Sequence, residues 1–138
     1  MAFVKNMNSN YTPSNVVHYS NSPGQTLQTV TLDGSIGAVV ANSYVYKSGR
    51  STYLTSGIIN STSVSDYVSD HNSTQYYISD MFRTSSLIAQ SGDSGGVTFV
   101  GYGSSSGKAV GIVEAGFSNG TYFIKASNIL NSFGASTY

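Results

Sequence analysis

The chain has no cysteine and no tryptophan, only two prolines in 138 residues, and charged side chains at only 9% of positions. Without cysteine, neither a disulfide framework nor a thiolate zinc site can form. The two histidines, His18 and His71, lie far apart and near no cluster of carboxylates, so no metal and no cofactor is expected. Formal net charge is zero. That leaves no basic patch to track phosphates, and nucleic acid is not an expected partner. No apolar run approaches the roughly 20 residues of a membrane span. The first ten residues are polar and lack the apolar stretch of a signal peptide.

What is abundant is Ser, Thr, Asn, Gly and Tyr, a composition suited to a hydrogen-bonded β-protein with a neutral surface. The length fits one domain with a core of ordinary size. Asn-x-Ser/Thr sequons occur at Asn10, Asn60, Asn72 and Asn119. They are candidate glycosylation sites and favour an extracellular setting, although unmodified surface loops would carry the same residues.

Strand signals dominate. Val16–Tyr19 is a short apolar run, Gln25–Leu32 alternates, and Ile36–Tyr46 is a long β-branched and aromatic stretch. Tyr53–Ser61, Gln75–Arg83, Val97–Tyr102, Ala109–Phe117 and Thr121–Lys125 follow, each bounded by Gly, Ser, Asn or Asp. Short strands evenly spaced between turns predict an all-β barrel or sandwich. One helix is expected at the end: Ser127 caps Asn128–Phe133, Gly134 terminates it, and Ile129, Leu130 and Phe133 share the face toward the barrel.

The segment Gly92-Asp93-Ser94-Gly95-Gly96 carries the chemistry. Flanking glycines let the backbone bend sharply, so that one serine hydroxyl projects and two amides aim at one point. Ser94 would be the nucleophile, the Gly92 and Ser94 amides would form an oxyanion hole, and Asp93 would turn inward to hold the loop. The alternative is a plain Gly/Ser turn between strands.

Arg83–Phe99 (R-T-S-S-L-I-A-Q-S-G-D-S-G-G-V-T-F) resembles the nucleophile loop of the streptogrisin and α-lytic branch of the chymotrypsin-like serine peptidases. Lys108–Gly116 resembles the strand that lines that family's primary specificity pocket, and Thr121–Tyr138 its last strand, short helix and tail. Ile36–Ala41 and Thr55–Ser61 resemble the first hairpin strands of the second barrel. The resemblance implies a single antiparallel Greek-key β-barrel over 34–138, preceded by an interbarrel-like segment, 1–33, packing on it. It also implies substrate contacts at Gln90, Ser91 and along Val113, Glu114, Ala115 and Gly116. Pocket walls would come from Ser86–Ser91 and Val113–Phe117, with Phe117 and Tyr122 able to narrow the pocket.

The sequence also departs from the family. The family's histidine and aspartate belong to the first barrel. No histidine motif is present, and Pro13 falls near the aspartate position. Val97 follows the nucleophile loop where the family usually has proline or another fixed residue, and the family's disulfide cysteines are replaced. His18 sits on a strand whose counterpart is not catalytic, and His71 lies in a polar loop. Glu114 stands where the family usually has a serine supporting the aspartate. It is read as a speculative acid, as a selector of basic substrates, or as a half-solvated carboxylate on an open face.

A serine without a base is a weak nucleophile, so the chain is expected to be nearly inactive alone. One expectation is a serine endopeptidase half acting on a peptide or protein substrate, completed by a first-barrel chain. Another is a non-catalytic structural or binding module that self-associates, extracellularly or on a virion surface. A third is a C-terminal piece of a secreted protease.

Overall fold

The computed structural model describes residues 10, 14–69, 72–103 and 106–135; the reading of His71 and Pro13 falls outside them. It contains strands β1 (Val16–Tyr19), β2 (Gln28–Ile36), β3 (Tyr44–Gly49), β4 (Tyr53–Ser69), β5 (Gln75–Thr84), β6 (Val97–Val100), β7 (Gly107–Phe117) and β8 (Gly120–Lys125), then helix α1 (Ala126–Phe133).

Strands β3 to β8 close into a ring. β3 pairs with β4 and β6, β5 with β4 and β8, and β7 with β6 and β8, all antiparallel. Three hairpin-linked strands (β3, β4, β5) are followed by β6, which returns to lie beside β3. That order is a Greek key. The return connection from β5 to β6 therefore crosses one end of the barrel, and it is this connection that carries Gly92–Gly96. β2 lies outside the ring, touching β7 in parallel at Leu32↔Gly107 and Ile36↔Ala109, and β1 pairs antiparallel with β2.

The core follows from alternation. One face of each strand turns inward, and Val45, Ile59, Phe82, Val110, Val113 and Phe123 fill the ring with Ile88 and Ala89. Phe82 and Phe123 stack at 4.8 Å between ring centroids. A second cluster, Tyr19, Val30 and Phe99, seals β1 and β2 onto the barrel.

Several boundaries differ from the sequence reading. The strand expected over Gln25–Leu32 runs from Gln28 to Ile36. Ile36–Tyr46 is not one strand: the chain leaves β2 after Ile36 and turns at Asn42, whose φ is 65°, before β3 begins. Asparagine tolerates this left-handed conformation better than most residues. β4 runs past Ser61 to Ser69, because it keeps pairing with β5 through three register shifts. Helix α1 starts at Ala126, so Ser127 is inside it; Lys125 occupies the cap position without a side-chain cap bond. Gly134 does terminate the helix, at φ 59°. The helix lies on β7 and β8, but none of its residues is fully buried.

Candidate active site

The β5–β6 connection is pinned along its whole length. The Ser85 amide donates to the Ile58 carbonyl at 2.9 Å, and the Ile88 amide to the Thr121 hydroxyl at 2.8 Å. The Ile88 carbonyl accepts from the Thr55 hydroxyl at 2.7 Å. The Ser51 hydroxyl donates to the Ser91 carbonyl at 2.6 Å.

Asp93 is the centre of this anchoring. Its carboxylate is 1% exposed and points into the barrel. One oxygen accepts from the Ser51 and Thr52 amides at 2.6 and 3.1 Å. The other accepts from the Thr52 hydroxyl at 2.6 Å and the Gln90 amide at 3.0 Å. Lys47 completes the shell with Nζ 3.3 Å from Oδ2, both side chains being wholly inaccessible. Burial by itself would raise the Asp93 pKa, but the Thr52 hydroxyl and the three amides outweigh it and hold the group well below the usual carboxylate range. Burial pulls the Lys47 ammonium down from its ordinary value, and Asp93 opposes that shift. Lys47 also donates to the Thr52 hydroxyl and the Tyr53 carbonyl.

With Asp93 turned inward, the residues on either side turn outward. Gly92 has φ 96° and Gly95 φ 82°, and both glycines and Ser94 are exposed. A Cβ on Gly92 would collide with the Ser51 hydroxyl, so glycine is required there by space as well as by backbone conformation. Gly96 and Gly95 knit the loop to β7: Val113 donates to the Gly96 carbonyl at 2.9 Å and Gly95 to the Val113 carbonyl at 2.8 Å. The Ser94 hydroxyl donates to the Glu114 carbonyl at 3.2 Å. Among the described residues, the Gly92 and Ser94 amides have no backbone acceptor.

This combination places one exposed hydroxyl and two open amides on a loop locked from below by a buried carboxylate. The fold is that of the chymotrypsin-like serine proteases. Among solved structures, the chain is similar to Thermobifida fusca protease A, with 27% identity over 94% of this chain and a TM-score of 0.69. It is also similar to Nocardiopsis protease, with 28% identity over 94% of this chain and a TM-score of 0.68. A glutamic-acid-specific serine protease shares the fold at 24% identity over 95% of this chain, with a TM-score of 0.68. The chain spans 63%, 63% and 64% of those three chains, less than two thirds of each, as a single C-terminal barrel of that fold would. No family model matches the sequence, and no curated protein matches it.

Set in the chymotrypsin-like fold, the other sequence-chosen residues fall as follows. Val113 is buried, Glu114 and Ala115 are half-buried, and Gly116, Gln90 and Ser91 are exposed. The β7 segment meets Ser94 at the Glu114 carbonyl and lies against Leu87 and Ala89 at Gly116. Burial raises the Glu114 carboxyl above its ordinary value. The His18 side chain is exposed on β1, and its carbonyl accepts from the Ser48 hydroxyl at 3.0 Å. Among the described residues, no hydrogen bond joins the His18 ring to Ser94. All four sequon asparagines are exposed, with Asn60 accepting from Arg83 at 3.3 Å and Asn119 donating to Tyr122 at 3.2 Å. Tyr122, expected to narrow the pocket, is itself 3% exposed and packed edge-on against Phe117.

Sequence reasoning passed over Lys47, Ser51 and Thr52. A signal for Lys47 existed. In Tyr44-Val45-Tyr46-Lys47, Val45 and Lys47 share a face, and an inward lysine demands a buried anion.

Proposed function

We propose that this chain is the nucleophile-bearing barrel of a serine endopeptidase. The observation that supports it most is the Asp93 anchor: it turns Ser94 and the Gly92 and Ser94 amides outward together, as an acyl-transfer site needs. Ser94 is the nucleophile. The two amides receive the negative charge that develops on the attacked carbonyl oxygen. Losing one such donor typically costs about 10²–10³ in rate. An extended peptide lies along Val113–Gly116, pairing backbone to backbone as in strand addition.

The Ser94 proton still requires a base. A histidine, with its supporting carboxylate, is supplied by a first barrel, from another polypeptide or from sequence beyond this stretch. Glu114 is the acid on β7 whose carbonyl meets the Ser94 hydroxyl, and its carboxylate takes the supporting role only if such a histidine is present. Exposure of all four sequon asparagines supports an extracellular setting. No helix among the described residues is long and apolar enough to cross a membrane.

Fluorophosphonate labelling of the purified chain, read by intact mass, tests the activated state of Ser94. Labelling that disappears in Ser94→Ala establishes that a base reaches Ser94. Addition of the missing barrel is expected to raise the labelling rate. If neither the chain nor the reconstituted pair labels, the peptidase reading fails and a non-catalytic binding module is left.

A further inference from the structure

Two segments flank Ser94: Ser86–Ser91 on one side and the end of β7 on the other. A side-chain pocket between them needs a gap. To admit a flat ring, two walls must stand about 7 Å apart, twice a van der Waals contact. Here the walls touch. A Cβ built on Gly116 would lie 2.5 Å from Leu87 Cδ1 and 3.0 Å from the Ala89 carbonyl oxygen. The inner face of β7 at Gly116 is therefore already covered by Leu87 and by the backbone of Ala89.

The cover is held in place from both sides. The Ser86 carbonyl accepts from the buried Thr84 hydroxyl at 2.8 Å, and the Ile88 amide donates to the buried Thr121 hydroxyl at 2.8 Å. Ile88 and Ala89 are 8% and 3% exposed and belong to the core. Leu87 sits between these fixed points, 53% exposed, with its tip on Gly116. Just beyond Gly116 the chain turns tightly into β8, Phe117 pairing directly with Gly120.

We propose that Leu87 occupies the side-chain pocket beside Ser94, so that the cleft takes peptides with glycine or alanine at the residue whose carbonyl faces Ser94, and rejects bulky ones. The inference rests on the reading of the cleft as a peptide site. It makes recognition a matter of backbone pairing along Val113–Gly116, with Leu87 as the determinant that selects against size.

The test uses binding, which does not require a base. Acetylated tetrapeptides identical except for a C-terminal Gly, Ala, Leu or Phe are titrated into the isotope-labelled chain and followed by amide chemical shifts. Wild type is expected to bind the Gly and Ala peptides at least tenfold more tightly than the Leu and Phe peptides, the scale on which apolar pockets discriminate. Leu87→Ala is expected to bring the Phe peptide to within about threefold of the Gly peptide, and Leu87→Met, which keeps the bulk, to preserve the preference. Thermal melts of both variants check folding; more than half of Leu87 faces solvent, so each is expected to melt close to wild type. Equal binding of Gly and Phe peptides by wild type, or an unchanged preference in Leu87→Ala, overturns the role of Leu87 while leaving the peptide cleft intact. If no peptide binds wild type or either variant, the peptide-cleft reading itself falls.

Discussion

Lys47 and Asp93 form an ion pair sealed inside the barrel, 3.3 Å apart with neither side chain reaching solvent. Such a pair gains little over two apolar residues, but removing one partner strands the other. The two partners are not equivalent. Asp93 keeps donors from Ser51, Thr52 and Gln90 when Lys47 is lost, whereas Lys47 keeps only the Thr52 hydroxyl and the Tyr53 carbonyl when Asp93 is neutral. Asp93→Asn is expected to cost about 3–5 kcal/mol and Lys47→Met less than that. Urea unfolding measures both. A larger loss for Lys47→Met would show that the order of the two has been misjudged.

Gly92→Ala should be costly in a small, exposed loop where substitutions are usually tolerated. The residue has φ 96°, and an added methyl meets the Ser51 hydroxyl, which is already bonded to the Ser91 carbonyl. Backbone strain of this kind costs about 1–3 kcal/mol. Gly95→Ala has a positive φ but open space around the new methyl, so its loss should be smaller. Equal melting temperatures for the two variants would argue against the steric part of this account.

Glu114 gives a pH dependence of opposite sign to most carboxylates. Burial raises its folded pKa above the ordinary 4.5, so the folded state binds the proton more readily than the unfolded one. Stability from this group is fully present below 4.5 and is lost as pH rises through the folded value. Glu114→Gln is therefore expected to raise the melting temperature at neutral pH, with the gain vanishing below about pH 4. A variant no more stable than wild type at pH 7 would mean that Glu114 is not desolvated.

Asp80 behaves the other way. The Lys125 ammonium, the Asn128 amide and the Ser63 hydroxyl lower its pKa from 3.8 to about 2. Their contribution is present above 3.8 and is lost as pH falls toward 2. Asp80 also holds φ 55° and ties the start of α1 to β5. Acid should thus loosen α1 before the barrel opens. At pH 3 the hydrogen-exchange protection of Asn128–Phe133, taken against the intrinsic rate at that pH, is expected to fall first; a uniform fall across β3–β8 would sink this order of events.

Most of the barrel could be read in the sequence because its strands are short and well punctuated. Gln75–Arg83, Ala109–Phe117 and Thr121–Lys125 lie within about two residues of the observed strands at each end. The failures have local causes. Thr62–Ser69 mixes serine, aspartate and valine without clean alternation, and only its partner β5 makes it a strand. The break at Asn42 hid inside a β-branched run. At the site, the Gly-Asp-Ser-Gly-Gly run alone reads equally as a plain turn, and the resemblance of its flanks to the family's nucleophile loop is what singled it out. Leu87 did not stand out, since one leucine in a loop gives no hint of which glycine it will cover. Ser51 and Thr52 lie 42 and 41 residues from Asp93, and no local pattern reports a partner at that distance.

The closed ring of β3–β8 also bears on which strand edges stay open to another chain. A sheet edge is a template for another strand, and proteins commonly guard it with charge, proline or a covering loop. This sequence has little of the first two, with 9% charged residues and two prolines. Ring closure covers the edges only where the strands of the barrel pair on both sides: among the described residues, β4 beyond Ile58 pairs with β5 alone, and β5 meets β8 only at Phe82 and Arg83. The outermost strand of the described sheet is β1, and at four residues it offers an incoming chain a short run of hydrogen bonds. The stretch most open to an added strand is therefore the outer part of the β4–β5 hairpin, where Tyr67, Tyr76 and Tyr77 are exposed.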